Sequence, residues 1–164
     1  MQKTAGFIRP RAGAAYRERL SPSLWALVSA AVVAPMAALV FAPLDTTVAL
    51  VVGVLVGAAF VALLVAGSPV VEVRDGRLRA GRAHIGVEYL GAPVALTGDD
   101  ARHRRGPGLG RDAWHVIRGG IDGVVVVPVT DPDDPTTEWV VSSRTPDRLA
   151  AALNRARANA ETAG

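Results

Sequence analysis

Two uncharged apolar runs constrain this chain more than any other feature. They occupy residues 20–44 and 46–71, and Asp45 is the only charge between them. Each run holds about 25 residues, and a helix needs about 20 to cross the hydrocarbon core of a bilayer. The break between them is too short for a domain, so two helices must lie side by side and antiparallel. The pattern predicts a transmembrane helical hairpin over residues 20–68.

Local signals sharpen the hairpin. Ser23 to Phe41 reads as the first helix, with Pro22 suited to the helix start. Asp45 or Thr46 can cap the second helix, and Gly67-Ser68-Pro69 ends it. Ala49, Gly53 and Gly57 recur every four residues and share one face, a spacing that lets another helix come close. The expected partner is the first helix, through Ala30, Ala34 and Ala38; a second copy of the chain is the alternative. Neither run contains an ionisable side chain, which argues against a proton relay, channel or transporter. A cleaved signal peptide is the rival for the first run, but that run is long and no clean small-residue cleavage site follows it.

Charge separates the regions. Residues 1–19 carry Lys3, Arg9, Arg11, Arg17 and Arg19 against Glu18. This basic segment reads as a disordered arm, and its charge places it on the cytoplasmic side. An even number of crossings then leaves both termini in the cytoplasm, at the cell membrane. The arm is also suited to anionic lipid headgroups. After residue 71 there are 13 arginines against 13 acidic residues. That neutrality argues against a nucleic-acid partner. The absence of cysteine excludes disulfides, thiolate metal sites and cysteine nucleophiles.

Residues 69–164 read as a cytoplasmic β-rich domain with a closing helix. Asp75-Gly76 between two alternating stretches predicts a tight hairpin that sets Val73 against Leu78, Glu72 against Arg79 and Val71 against Ala80. Further strands are expected at 84–89, 93–96, 113–118, 123–129 and 137–142. Val124 to Val127 is apolar on both faces and should be covered on both. Thr145 and Pro146 open a final helix with Leu149, Leu153 and Ala156 along one stripe. Seven strands and one helix predict an α+β membrane protein with a small barrel or sandwich.

Three pieces of the chain resemble a known family: Tyr16-Arg17-Glu18-Arg19-Leu20, Gly81-Arg82-Ala83-His84-Ile85, and the run from Asp131-Pro132-Asp133-Asp134-Pro135 through Trp139 to Ser142-Ser143-Arg144. Together they look like an actinobacterial family of membrane proteins, the domain of unknown function 3093. The resemblance implies a membrane location and an architecture, but no activity and no functional residues. More loosely, seven strands and a terminal helix are similar to the pleckstrin-homology-like domains that bacteria attach to membrane hairpins. Phosphoinositide-binding members have a long basic first loop, whereas here that loop is only Asp75-Gly76.

Within the domain, Arg102, His103, Arg104 and Arg105 are the candidate ligand-binding residues, suited to a phosphate-bearing headgroup. Their alternative is a solvated loop whose arginines pair with nearby carboxylates. Asp131 to Pro135 has three carboxylates but two prolines and no glycine, so it reads as a rigid turn rather than a calcium loop. His84, His103 and His115 lack metal spacing, and no nucleophile motif is present. Catalytic residues, a metal and a cofactor are therefore not expected. The leading expectation is a non-enzymatic, membrane-anchored binding or scaffold module facing a protein or lipid-headgroup partner. A membrane-bound enzyme with a site at the hairpin–domain junction, built on His84, His115 and carboxylates, is the alternative. A structural subunit of a membrane complex is the third.

Overall fold

A computed structural model of the chain describes residues 16–163. The expected disorder of residues 1–15 lies outside them. In order, the elements are β1 (Tyr16–Arg19), α1 (Leu24–Phe41), α2 (Thr46–Ala66), β2 (Val70–Arg74), β3 (Arg77–Ala80), β4 (Ala83–Gly86), β5 (Val94–Leu96), α3 (Gly98–Arg104), β6 (Ala113–Val116), β7 (Val124–Pro128), β8 (Glu138–Ser142) and α4 (Pro146–Ala163). A short 3-10 turn, Val87–Tyr89, follows β4. The class is mixed α+β.

Strand β1 corrects the reading of residues 1–19 as one arm. It pairs antiparallel with β2, placing Tyr16 opposite Val73 and Arg19 opposite Val70. The helical hairpin is therefore a long connection between two neighbouring strands of one sheet. Both of its ends are anchored in that sheet, and the Leu20 amide donates to the Pro69 carbonyl at 2.9 Å just below the helices.

Side chains set the limits of both long helices. The Ser23 hydroxyl accepts from the Ala26 amide at 3.2 Å, and the Asp45 carboxylate accepts from Val48 at 2.9 Å. These bonds satisfy amides that a helix start leaves without partners. Ala49, Gly53 and Gly57 are the buried residues of α2, and Ala30 is the buried residue of α1. A Cβ added at Gly53 would lie 2.8 Å from the Ala34 carbonyl oxygen, and one at Gly57 would lie 2.7 Å from Ala34 Cβ. The small residues thus form the seam within the hairpin. Most large apolar side chains of both helices point away from it, with Trp25 80% and Leu39 72% exposed.

The β domain contains two four-stranded sheets, ordered β1-β2-β3-β4 and β5-β7-β8-β6. Neither closes into a barrel, and β1 adds an eighth strand to the seven expected. The β2–β3 register is the one the two-residue turn requires, with Val73 opposite Leu78 and Glu72 opposite Arg79. Asp75 and Gly76 both have positive φ, 50° and 70°, which twists the turn to match its strands. In the second sheet β6 and β8 run parallel. Strand β7 reverses direction between them in sequence and takes the other side of β8.

The core lies between the sheets and α4. Val71, Val73, Leu78 and Ala80 of the first sheet join Val125, Val127, Trp139 and Val141 of the second, with Leu149 and Leu153 from the helix. The opposite face of the second sheet is also covered. Val124, Val126 and Val140 pack there against Ala101 of α3, with Leu96 and Leu109 at the margin. This double cover explains why β7 is apolar at successive positions. Among the described residues the outer face of the first sheet has no such cover, and it carries Arg17, Glu72, Arg79 and His84 in one cross-strand row.

Candidate functional site

A dense group of polar contacts stands where the helical hairpin meets the β domain. Three arginines donate to backbone carbonyls there. Arg19 reaches the Val65 carbonyl at 2.8 Å, in the last turn of α2, where a cation also opposes the negative helix end. Arg118 Nε lies 3.4 Å from the Leu20 carbonyl. Arg144 donates to the carbonyls of Arg19 at 3.2 Å and Ser21 at 3.0 Å, and to the Ser21 hydroxyl at 3.2 Å. These contacts fasten both the entering and the leaving strand of the hairpin. Gly120 presses so closely on Ser23 that a Cβ there would meet Ser23 Cβ at 2.6 Å, so the turn after β6 also abuts the start of α1.

Beside this neck is a compact hydrogen-bonded group. Alternation along β1 turns Tyr16 and Glu18 inward while Arg17 and Arg19 face out. The Tyr16 hydroxyl donates to Glu18 Oε2 at 2.5 Å and lies 2.9 Å from Ser143 Oγ and 3.0 Å from Thr145 Oγ1. Ser143 donates to the same carboxylate oxygen at 2.7 Å, and the Arg144 amide donates to Oε1 at 2.9 Å. Glu18 is thereby satisfied on both oxygens, and the Arg144 guanidinium stands 3.7 Å away. Desolvation, reinforced by the bond to Glu18, pushes the Tyr16 phenol above its usual range.

A cleft of about 680 Å³ opens over this group, between β1 and the first turns of α4. Arg17, Arg144, Arg148 and Arg155 line it together with Tyr16, Glu18 and Thr145. The positions 148, 151 and 155 share one face of α4 by helical spacing.

The residues singled out in the sequence sit elsewhere. Arg102 is exposed and pairs with Asp99 one helical turn away. Arg104 pairs with Glu138 of β8 and donates to the Gly108 carbonyl. Arg105 donates to the Ile121 carbonyl and lies 3.5 Å from Asp122. The His103 ring packs against Gly108. The structure aims these side chains at separate partners, with Arg104 joining α3 to β8 and Arg105 joining it to the loop before β7. Ala49, Gly53 and Gly57 form the helix seam already described. His84 lines a depression on the outer face of the first sheet with Glu72, Asp75 and four arginines. His115 stands on β6 of the other sheet and does not line that depression. Asp131 and Asp134 accept from the amides of Asp133 and Thr136, the bonding of local turns. Among the described residues no group of acidic or histidine side chains is arranged to hold a metal ion.

Sequence reasoning missed Glu18, Ser143 and Arg144 as a unit, because they are separated by most of the chain. The signal was present: two of the three pieces that carry the family resemblance contain these residues, and the fold brings those pieces into contact.

The architecture defines a class: a two-sheet β domain with a helical hairpin, apolar and long enough to cross a bilayer, built into its first strand connection. The family model for a protein of unknown function, DUF3093, matches residues 15–153, and the chain belongs to that family. No curated protein and no solved structure matches the chain.

Proposed function

We propose that the protein is a non-enzymatic, membrane-anchored binding module. The hairpin crosses the membrane twice and holds the β domain at the cytoplasmic face, with both termini on that side. The exposure of the helices carries this reading. Only 6% and 17% of the residues in the two spans are buried, whereas the core helix of a water-soluble protein is mostly buried. Apolar surface on that scale requires a cover, and lipid suits two uncharged helices of bilayer length.

Charge supports the orientation. Arg19, Arg118 and Arg144 gather at the neck, while the turn at the far end carries Asp45 alone among its charges. That asymmetry agrees with basic residues remaining in the cytoplasm. Two facing sheets closed by α4 support a pleckstrin-homology-like function of presenting a surface to a lipid headgroup or protein. The parallel β6–β8 pair is the departure from an all-antiparallel barrel. Tethering raises the local concentration of such a module at the membrane, so contacts of modest affinity suffice.

Alkaline carbonate extraction of membranes tests the anchor, and a protease-sensitivity assay on a C-terminal tag tests the side. Retention in the pellet with a tag protected in intact cells is expected. Release to the supernatant overturns the anchor, and cleavage of the tag from outside overturns the orientation.

A further inference from the structure

The cleft between β1 and α4 has a property that neither the anchor nor the neck requires: its positive charge is left uncompensated. Four arginines line it, and Glu18 is the carboxylate among its lining residues. That carboxylate already accepts bonds from Tyr16, Ser143 and the Arg144 amide. Arg144 in turn is committed to the carbonyls of Arg19 and Ser21. Arg17, Arg148 and Arg155 form no ion pair among the described residues. Arg148 and Arg155 of α4 therefore stand at the cleft without an internal partner, and Arg17 reaches its rim from the edge strand, where Glu72 is its cross-strand neighbour.

The two walls come from different elements. Arg17 stands on a strand fixed by pairing to β2, and Arg148 and Arg155 stand on a helix packed into the core through Leu149 and Leu153. A bound anion would meet donors from both elements, and arginine offers the forked geometry that suits phosphate oxygens. The mouth of the cleft also has a defined address. Arg144 closes one end and is bonded to Ser21, two residues before the Ser23 cap of α1. The cleft thus begins at the base of the apolar hairpin.

We propose that this cleft binds a phosphate-bearing anion, presented either as the headgroup of an anionic phospholipid or as a free phosphate. The lipid source rests on the membrane-anchored reading above; the anion site itself does not. The outer face of the first sheet is the competing basic surface. It is weaker, because Glu72 and Asp75 lie among its arginines and Arg74 pairs with Asp75 at 3.1 Å.

The test uses the full chain. Protein is incorporated into phosphatidylcholine nanodiscs doped with phosphatidic acid, and retained lipid is counted by native mass spectrometry. In parallel, protein in a zwitterionic detergent is titrated with inorganic phosphate and followed by calorimetry. The variants are Arg148→Ala/Arg155→Ala and, on the other wall, Arg17→Gln. Arg77→Ala/Arg82→Ala controls for general charge, and circular dichroism checks folding. Each cleft variant should lower phosphatidic acid retention at least tenfold while the control leaves it unchanged. Saturation by inorganic phosphate, lost in the same variants, would support the site and name free phosphate as a sufficient ligand; lipid retention alone names the headgroup. Equal loss in cleft and control variants, or no loss in either, overturns the proposal. Failure to enter nanodiscs would refute the anchor, and the phosphate titration would still decide the cleft.

Discussion

Glu18 and Ser143 are 125 residues apart in the chain, yet the Ser143 hydroxyl donates to the Glu18 carboxylate at 2.7 Å. The bond closes the first strand of the domain onto the segment between the last strand and α4. Glu18 also collects the Tyr16 hydroxyl and the Arg144 amide, so its removal takes the shared acceptor from three donors, of which Tyr16 alone has hydroxyl oxygens of Ser143 and Thr145 within reach. Glu18→Ala should destabilise the fold by about 2–4 kcal/mol, and Glu18→Gln by about 1–2 kcal/mol, from the costs of unsatisfied and charge-assisted bonds. Urea titration of the full chain in micelles, followed by tryptophan emission, measures both.

The same cluster predicts an alkaline effect. The Tyr16 phenol is raised by desolvation and by its bond to Glu18. A phenol raised in the folded state deprotonates first in the unfolded chain. Its contribution is therefore complete below the ordinary value near 10 and declines as pH rises through the higher folded value. The stability difference between the wild type and Tyr16→Phe should shrink steadily above about pH 10. Urea midpoints of the two proteins at a series of alkaline pH values give the comparison. A difference that stays constant with pH would contradict the shift.

Gly76 offers a purely conformational test. Its φ is +70°, and a Cβ added there meets nothing within 4 Å. The cost of Gly76→Ala is then that of a left-handed residue without any clash, about 1–2 kcal/mol. Gly76→Asn should recover part of it, since asparagine tolerates this region better. Thermal melts of the three proteins rank them directly.

The arginines of α3 should separate into two classes. Arg104 meets Glu138 in a half-buried pair with side-chain exposures of 33% and 16%, whereas the Arg102 side chain is 71% exposed. Removing a guanidinium from a partly desolvated carboxylate costs about 1.5–3 kcal/mol, and an exposed pair contributes under about 1 kcal/mol. Arg104→Ala should therefore lower the urea midpoint clearly, while Arg102→Ala should leave it almost unchanged.

Local pattern accounts for what could be read in advance. The limits of α1 and α2, the Asp45 cap and the Asp75-Gly76 register all depend on neighbours a few residues away, and each was legible. Strand β1 was not. Tyr16-Arg17-Glu18-Arg19 is short and mostly charged, and its partner β2 lies beyond the whole hairpin. Only tertiary pairing makes it a strand, so no window around it carries the signal. The parallel β6–β8 pair was hidden for a related reason, since strand alternation fixes faces but not neighbours. Basic residues show the same limit. Arg102 to Arg105 are conspicuous because they are contiguous, but Arg17, Arg144, Arg148 and Arg155 meet only after folding.

The closest approach of the two long helices sets the last prediction. At Gly57 an added Cβ would lie 2.7 Å from Ala34 Cβ, and at Gly53 it would meet the Ala34 carbonyl oxygen and Ala38 Cβ. Close packing of small residues is a main source of helix association in lipid, where no hydrophobic gain separates one apolar contact from another. Gly57→Leu should force the helices apart and destabilise the hairpin by about 1–3 kcal/mol, the usual range for overpacking. Gly57→Ala should have a smaller effect, and Ala34→Gly should reverse it, because the two methyl groups occupy the same space. Loss of helicity through an SDS titration of the purified chain reads the series, with the double variant returning toward the wild-type midpoint. If the seam instead served a second copy of the chain, Gly57→Leu would change oligomer mass while the midpoint stayed where it was. Non-additivity between residues 34 and 57 thus distinguishes packing within one hairpin from packing between two.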